Sequence, residues 1–229
     1  MKLALATRNK GKIAELRALL APLGIGVVTF EDLGEAPWPE VLETGQTFSE
    51  NAARKATAVA QATGLWSLAD DSGLEVTALG GLPGVRSARF AGDGATDEEN
   101  NEKLLRLLRD VPAGRKQARF VSVVAVAPPG GAGECRLFAG ECAGRIADLG
   151  RGERGFGYDP LFVPDEGNGK TFAELSDEEK NQISHRARAV LKAMGFLREL
   201  AKETSQGGFP SGGVPRARVD GGADVGYNK

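Results

Sequence analysis

Residues 1–30 constrain the fold most. Leu3, Ala4, Leu5 and Ala6 form an unbroken apolar run, the pattern of a strand buried on both faces. After Thr7–Gly11 the spacing becomes helical: Ile13, Leu16, Leu19 and Leu20 share one face, and Pro22 and Gly24 end it. Gly26–Phe30 reads as a second strand. A helical crossover between two strands favours their parallel pairing. The chain is therefore expected to be α/β or α+β.

Later helices are announced by their caps. Thr47-x-x-Glu50, Thr96-x-x-Glu99 and Ser176-x-x-Glu179 are capping-box patterns ahead of helix-forming residues. The first predicts a helix to about Thr63, closed by Gly64, and the second a helix to Arg109, closed by Pro112. The third predicts one long helix ending near Lys202. Between these lie strand candidates at Leu65–Ala69, Leu74–Leu79, Phe120–Ala127 and Leu137–Ile146, the last two paired across Pro128–Gly133. The mixture predicts an extended curved sheet, with two lobes and a cleft between them as the default site. Residues 1–203 form the expected domain. Residues 204–229, rich in glycine and proline without apolar periodicity, read as a disordered tail.

Charge and composition exclude several classes. A net charge of −2 gives no global field to attract nucleic acid, so a phosphate site must be local. Cys135, Cys142 and His185 lack the spacing of a zinc site, and the two cysteines read as reduced thiols. No window approaches the ~20 apolar residues of a membrane helix, so the expectation is a soluble cytoplasmic protein that binds no membrane.

Several polar strings carry chemistry. Thr7-Arg8-Asn9-Lys10-Gly11-Lys12 lies between a strand and a helix, where free N–H groups and the helix dipole favour an anion. Taken alone it is equally a solvated basic loop that opens a helix. Glu43 precedes a capped helix and, by itself, needs only a helix-dipole explanation. Asp70-Asp71-Ser72-Gly73 ends an apolar run; this looks like a turn, yet it has more acids than a turn requires. Neighbours on a strand face opposite ways, so only one of the two acids should meet a given site, where it could hold Mg²⁺ or activate water. In Gly155-Phe156-Gly157-Tyr158-Asp159-Pro160 the glycines and proline fix the backbone and project two aromatics and an acid, either as a tight turn or as a wall for a base. On an unbroken last helix His185 falls nearly opposite the buried face marked by Ile183, Ala187, Val190, Met194 and Leu197, which makes it solvated or a ligand contact rather than a core residue.

In their order, these strings resemble the inosine triphosphate pyrophosphatase (Ham1-like) family. The carriers are Ala6-Thr7-x-Asn9-x-Gly11-Lys12, Glu43-Thr44-Gly45-x-Thr47-Phe48-x-Glu50-Asn51-Ala52, Ala69-Asp70-Asp71-Ser72-Gly73-Leu74 and Gly81-Leu82-Pro83-Gly84-Val85-x-Ser87-Ala88-Arg89. They continue with Gly155–Pro160, Glu179-Lys180-Asn181 and Ile183-Ser184-His185-Arg186, so the match runs from about residue 3 to 200. The resemblance implies an elongated, curved mixed sheet flanked by helices in two lobes around a central cleft, and a homodimer. It implies Mg²⁺-dependent hydrolysis of inosine, deoxyinosine or xanthosine triphosphate to the monophosphate and pyrophosphate. Thr7, Arg8, Asn9, Lys10, Gly11 and Lys12 would then hold the triphosphate, with Lys12 neutralising charge. Glu43 and Asp71 would associate with the metal, and Asp71 would be the general base, with Asp70 turned away. Ser72 and Lys180 would touch substrate. Phe156 would stack on the purine beside Gly157, Tyr158 and Asp159, and His185 and Arg186 would face its 6-oxo edge. The related Maf-like pyrophosphatases and a non-catalytic nucleotide sensor are the competing readings. The strings at Phe156–Asp159 and Ser184–Arg186 oppose the first, and Glu43 with Asp71 oppose the second.

Overall fold

The computed structural model describes residues 1–33 and 38–205. Six strands form one sheet in the order β2-β1-β3-β4-β5-β6: β1 (Lys2–Leu5), β2 (Gly26–Val28), β3 (Trp66–Val76), β4 (Gln117–Ala127), β5 (Arg136–Ile146) and β6 (Phe162–Pro164). As the opening residues require, β1 pairs in parallel with β2 across α1 (Lys10–Leu20). It also pairs in parallel with β3 after α2 (Phe48–Thr63), whereas β3 through β6 are antiparallel neighbours. The sheet is mixed and curved, with helices against it.

Strand periodicity divides the core. Leu3, Leu5, Leu68, Val124 and Val126 point to one face, where Leu16 and Leu20 of α1 and Ala189, Val190 and Leu197 of α5 (His185–Ser205) cover them. Ala4, Ala6, Ala69, Val123 and Ala125 point to the other face and meet Ala52, Ala56, Val59 and Ala60 of α2. Small alanines on both sides let that helix lie close. A third cluster gathers at the far end of the long strands. There Leu74, Val76 and Phe120 pack with Phe162, Phe172 and Leu104 of α3 (Asp97–Leu107).

Asp70 and Ser72 of β3 alternate with Leu68 and Leu74, and Ser122 of β4 lies between Phe120 and Val124. A polar belt therefore separates two apolar ends on the same face. Asp70–Gly73 is not a turn between two strands: β3 runs unbroken through it, because each of its residues has a partner in β4. The length of the β3–β4 ladder overrides the local turn chemistry.

The last helix also departs from expectation. It divides into α4 (Asp177–Ile183) and α5, with Ser184 extended between them at ψ 152° and its Oγ accepting from Ala187 N–H at 3.2 Å. The break rotates His185 inward, so the prediction that it avoids the core fails: it is 3% exposed and lies parallel to Phe120 at 4.5 Å. α5 reaches Ser205, two residues beyond the expected boundary, and the rest of the proposed tail lies outside the described residues. Both cysteines are free, and no helix among the described residues is long and apolar enough to cross a membrane.

Candidate active site

The loop after β1 is shaped by its own side chains. Asn9 caps α1, its Oδ1 accepting from Lys12 N–H at 3.0 Å, while Thr7 Oγ1 accepts from Asn9 N–H at 3.2 Å. Thr7, Arg8, Asn9 and Lys12 line a cleft with Glu43, Lys55, Asp71 and Ser72. Arg8 also stands 5.9 Å over the Phe30 ring. Lys10 is exposed and does not line this cleft. Gly11 contributes by its smallness, since a Cβ there would stand 2.5 Å from the Phe156 ring.

Asp70 and Asp71 face opposite ways, as strand geometry demands. Asp70 is fully buried: Lys12 Nζ lies at 2.7 Å, Ser122 Oγ at 2.6 Å, Ser72 Oγ at 3.0 Å and Arg186 at 3.3 Å. Burial alone would favour its neutral form, but Arg186 and Lys12 outweigh it and hold the carboxyl well below the usual range. Asp70 is thus turned from Asp71, as expected, yet it seats three residues assigned to substrate, Lys12, Ser72 and Arg186.

Asp71 looks toward α2. Lys55 Nζ sits 2.7 Å from Asp71 Oδ1 and 2.7 Å from Glu43 Oε1, with Asn51 Nδ2 at 3.4 Å from the other Asp71 oxygen. Burial pushes the Asp71 carboxyl above its ordinary value, and sharing one ammonium with Glu43 does not reverse this. Lys55 is raised, because two carboxylates outweigh its desolvation. Arg89 fixes Glu43 by donating to its backbone carbonyl at 2.9 Å. No three acidic, histidine or cysteine side chains cluster as a metal cage among the described residues. Two carboxylates converging on one cation do suit a divalent ion that completes its shell with water and substrate phosphate.

The second end of the cleft is aromatic and ionic. Asn9, Lys12 and Ser72 are shared with a pocket lined by Phe156, Gly157, Tyr158, Asp159, Lys180, His185 and Arg186. Asp159 Oδ2 accepts from Phe156 N–H at 2.9 Å and from Lys180 Nζ at 2.5 Å. Lys180 also reaches Glu15 at 2.7 Å, and these two acids raise its pKa against the cost of burial. Arg186 pairs with Glu15 and donates to Ser72 Oγ at 2.8 Å. Lys180 and Arg186 lie 5.2 and 5.6 Å from the Phe156 ring centre. Tyr158 is buried and donates to Ser87 carbonyl at 2.9 Å, so it supports the wall from behind. Burial, followed by the charge of Arg186, holds His185 well below its usual pKa, as a neutral imidazole.

Two buried nitrogens of residues that line this pocket, His185 Nδ1 and Arg186 Nε, have no partner among the described residues. Buried polar groups are seldom left so. With Lys12, Lys55 and the α1 N-terminus at the other end, the cleft joins an anion-attracting half to a pocket bordered by an aromatic ring and hydrogen-bonding groups.

The sequence strings pointed to most of these side chains but not to Lys55, Glu15, Asn51, Arg89 or Ser122 as participants. Lys55 left a signal: it lies one turn after Asn51 and beside Ala52, Ala56 and Val59, so a charge sits next to the core-facing stripe of α2. Glu15 left none, because its partners come from residues 165 and 171 positions away.

Such a cleft on a curved mixed sheet defines a class of α/β protein that is also found by comparison. The model of the Ham1 family matches residues 3–196, and the chain belongs to that family. It is 53% identical over 201 residues to a dITP/XTP pyrophosphatase of Desulforamulus reducens, an alignment covering 87% of this chain and 97% of that protein. The solved Ham1 protein of Coxiella burnetii superposes with a TM-score of 0.75 at 39% identity, over 89% of this chain and 99% of that one. The Staphylococcus aureus Ham1 protein gives 0.73 at 40% identity, covering 89% and 100%.

Proposed function

We propose that the chain is a pyrophosphatase that hydrolyses non-standard purine nucleoside triphosphates (inosine, deoxyinosine and xanthosine) to the monophosphate and pyrophosphate. Its family membership and the names of its relatives support the reaction. The observation that carries the substrate is the pair of unpartnered buried nitrogens, His185 Nδ1 and Arg186 Nε, of residues that line a pocket bordered by Phe156.

In this reading the base stacks on Phe156 while its 6-oxo group accepts hydrogen bonds from His185 and Arg186. Adenine's 6-amino group would instead oppose donor to donor and leave both sides unsatisfied. The triphosphate extends to Thr7–Lys12, where the start of α1 and the ammonium groups of Lys12 and Lys55 offset its charge. Asp71 takes the proton of the attacking water at its carboxylate; burial raises its pKa, which makes it a better base than an ordinary aspartate. Water attacks the α-phosphorus, the bond to the bridging oxygen breaks, and pyrophosphate leaves.

Glu43 and Asp71 would hold Mg²⁺ together with the phosphates. When bound, the ion supplies neutralisation of phosphate charge. A homodimer in the cytoplasm completes the reading by analogy with the family.

The test is pyrophosphate release, with monophosphate identified, from inosine, xanthosine, adenosine, guanosine and pyrimidine triphosphates in Mg²⁺. Fast release confined to inosine and xanthosine substrates is expected. Release from pyrimidines alone, or tight binding without release, would overturn the proposal.

A further inference from the structure

Helix α3 adds a single residue, Asp97, to the lining of the aromatic pocket, and through it grips the loop that carries Phe156. Gly157, the next residue, is left-handed at φ 61°, and both of its backbone polar groups are held by side chains of α3. Its N–H donates to Asp97 Oδ2 at 2.6 Å, and its carbonyl accepts from Asn101 Nδ2 at 2.9 Å. Asp97 and Asn101 are one helical turn apart and so face the same way.

The helix that presents them is itself firmly seated. Thr96 and Glu99 complete its capping box, and Leu104 is fully buried. Asn100 accepts from Ala91 N–H at 2.7 Å and donates to the Ala88 carbonyl at 3.3 Å. A left-handed glycine is a place where a loop can pivot with little steric resistance. Clamping the N–H and carbonyl of that one residue removes the freedom where it would otherwise move the neighbouring ring.

We propose that Asp97 and Asn101 are positioning residues that set the place of the Phe156 ring, and with it the affinity for the purine, without contributing to hydrolysis. The inference rests on the assignment of Phe156 to the base. Its consequence is a separation of effects. Loss of either bond should weaken binding of the base and leave the triphosphate half untouched, since Lys12, Lys55 and Asp71 are held from α1, α2 and β3.

The experiment measures kcat and KM for inosine triphosphate, alongside competitive inhibition by inorganic tripolyphosphate, which has no base. Asp97→Ala and Asn101→Ala should each raise KM by about fivefold to tenfold, the loss of one net hydrogen-bond contribution. Their kcat should stay within about twofold and tripolyphosphate inhibition should not change. Asp97→Asn keeps an acceptor and should restore a near-native KM. Unchanged KM in both alanine variants overturns the proposal, as does parallel weakening of tripolyphosphate. Failure of Asp97→Asn to restore KM also overturns it, by assigning the effect to charge at the helix start. Phe156→Ala separates the two readings. If it raises KM and the α3 variants do not, the latch alone is wrong; if it too has no effect, the base-stacking assignment falls and takes the latch with it.

Discussion

Asp70 and Asp71 are identical, adjacent and both buried, yet their surroundings drive them in opposite directions. Asp70 looks toward α5 and α1, where two cations and two hydroxyls converge on it. Asp71 looks toward α2, where one ammonium is divided between it and Glu43. The surplus of positive charge on the first face makes a fixed anion that organises Lys12 and Arg186. The deficit on the second leaves a carboxylate with proton affinity to spare. One strand thus carries side by side an acid whose charge is held and the acid to which the proposed mechanism gives the proton, and the number of counter-charges differs between their faces.

The strongest attempt to break this comparison is Asp71→Asn. It should lower kcat by about 10²–10⁴ while the melting temperature holds or rises, because the base is lost and the shape kept. Turnover at the native rate would remove Asp71 from the chemistry.

Asp70→Asn should act through the fold instead. Breaking a buried ion pair costs roughly 3–5 kcal/mol, read as a lowered denaturation midpoint. The pH dependence has a definite sign. A carboxyl depressed in the folded state contributes its stability fully above the unfolded pKa of about 3.9, and loses it as pH falls through the lower folded value. The stability gap between native protein and variant should therefore be constant near neutrality and close below about pH 4. A gap that persisted in acid would mean that the Asp70 charge is not what stabilises.

Arg186→Ala sharpens the contrast, since Arg186 is anchored on the Asp70 face but lines the pocket proposed for the base. Assayed below its melting temperature, the variant should lose about tenfold of its preference for inosine over adenosine triphosphate. An unaltered ratio would move base recognition elsewhere and leave Arg186 as a purely structural cation.

Much of the fold was legible because it is local. The opening strand-helix-strand unit, the caps at Thr47, Thr96 and Ser176, and the β4–β5 hairpin follow from periodicity and end chemistry, which neighbours in sequence decide. The site strings were legible as residue types: basic loop, acid pair, glycine-framed aromatics. Their faces were legible only in part. Alternation put Asp70 and Asp71 on opposite sides, but the unbroken β3 and the inward rotation of His185 were misread. The first depended on a ten-residue ladder with β4, and the second on an extended Ser184 that lets His185 stack on Phe120.

What the sequence determined alone was therefore most of the parts: the capped helices and the main strands, which residues can carry charge or stack, and the family they resemble. What only the tertiary structure decided was the pairing of those parts. Glu15 with Arg186, Lys55 with Asp71 and Glu43, and α3 with Gly157 join residues from 12 to 171 positions apart. Buried charges must find counter-charges and buried amides must find acceptors, and which groups meet depends on how the helices pack against the curved sheet.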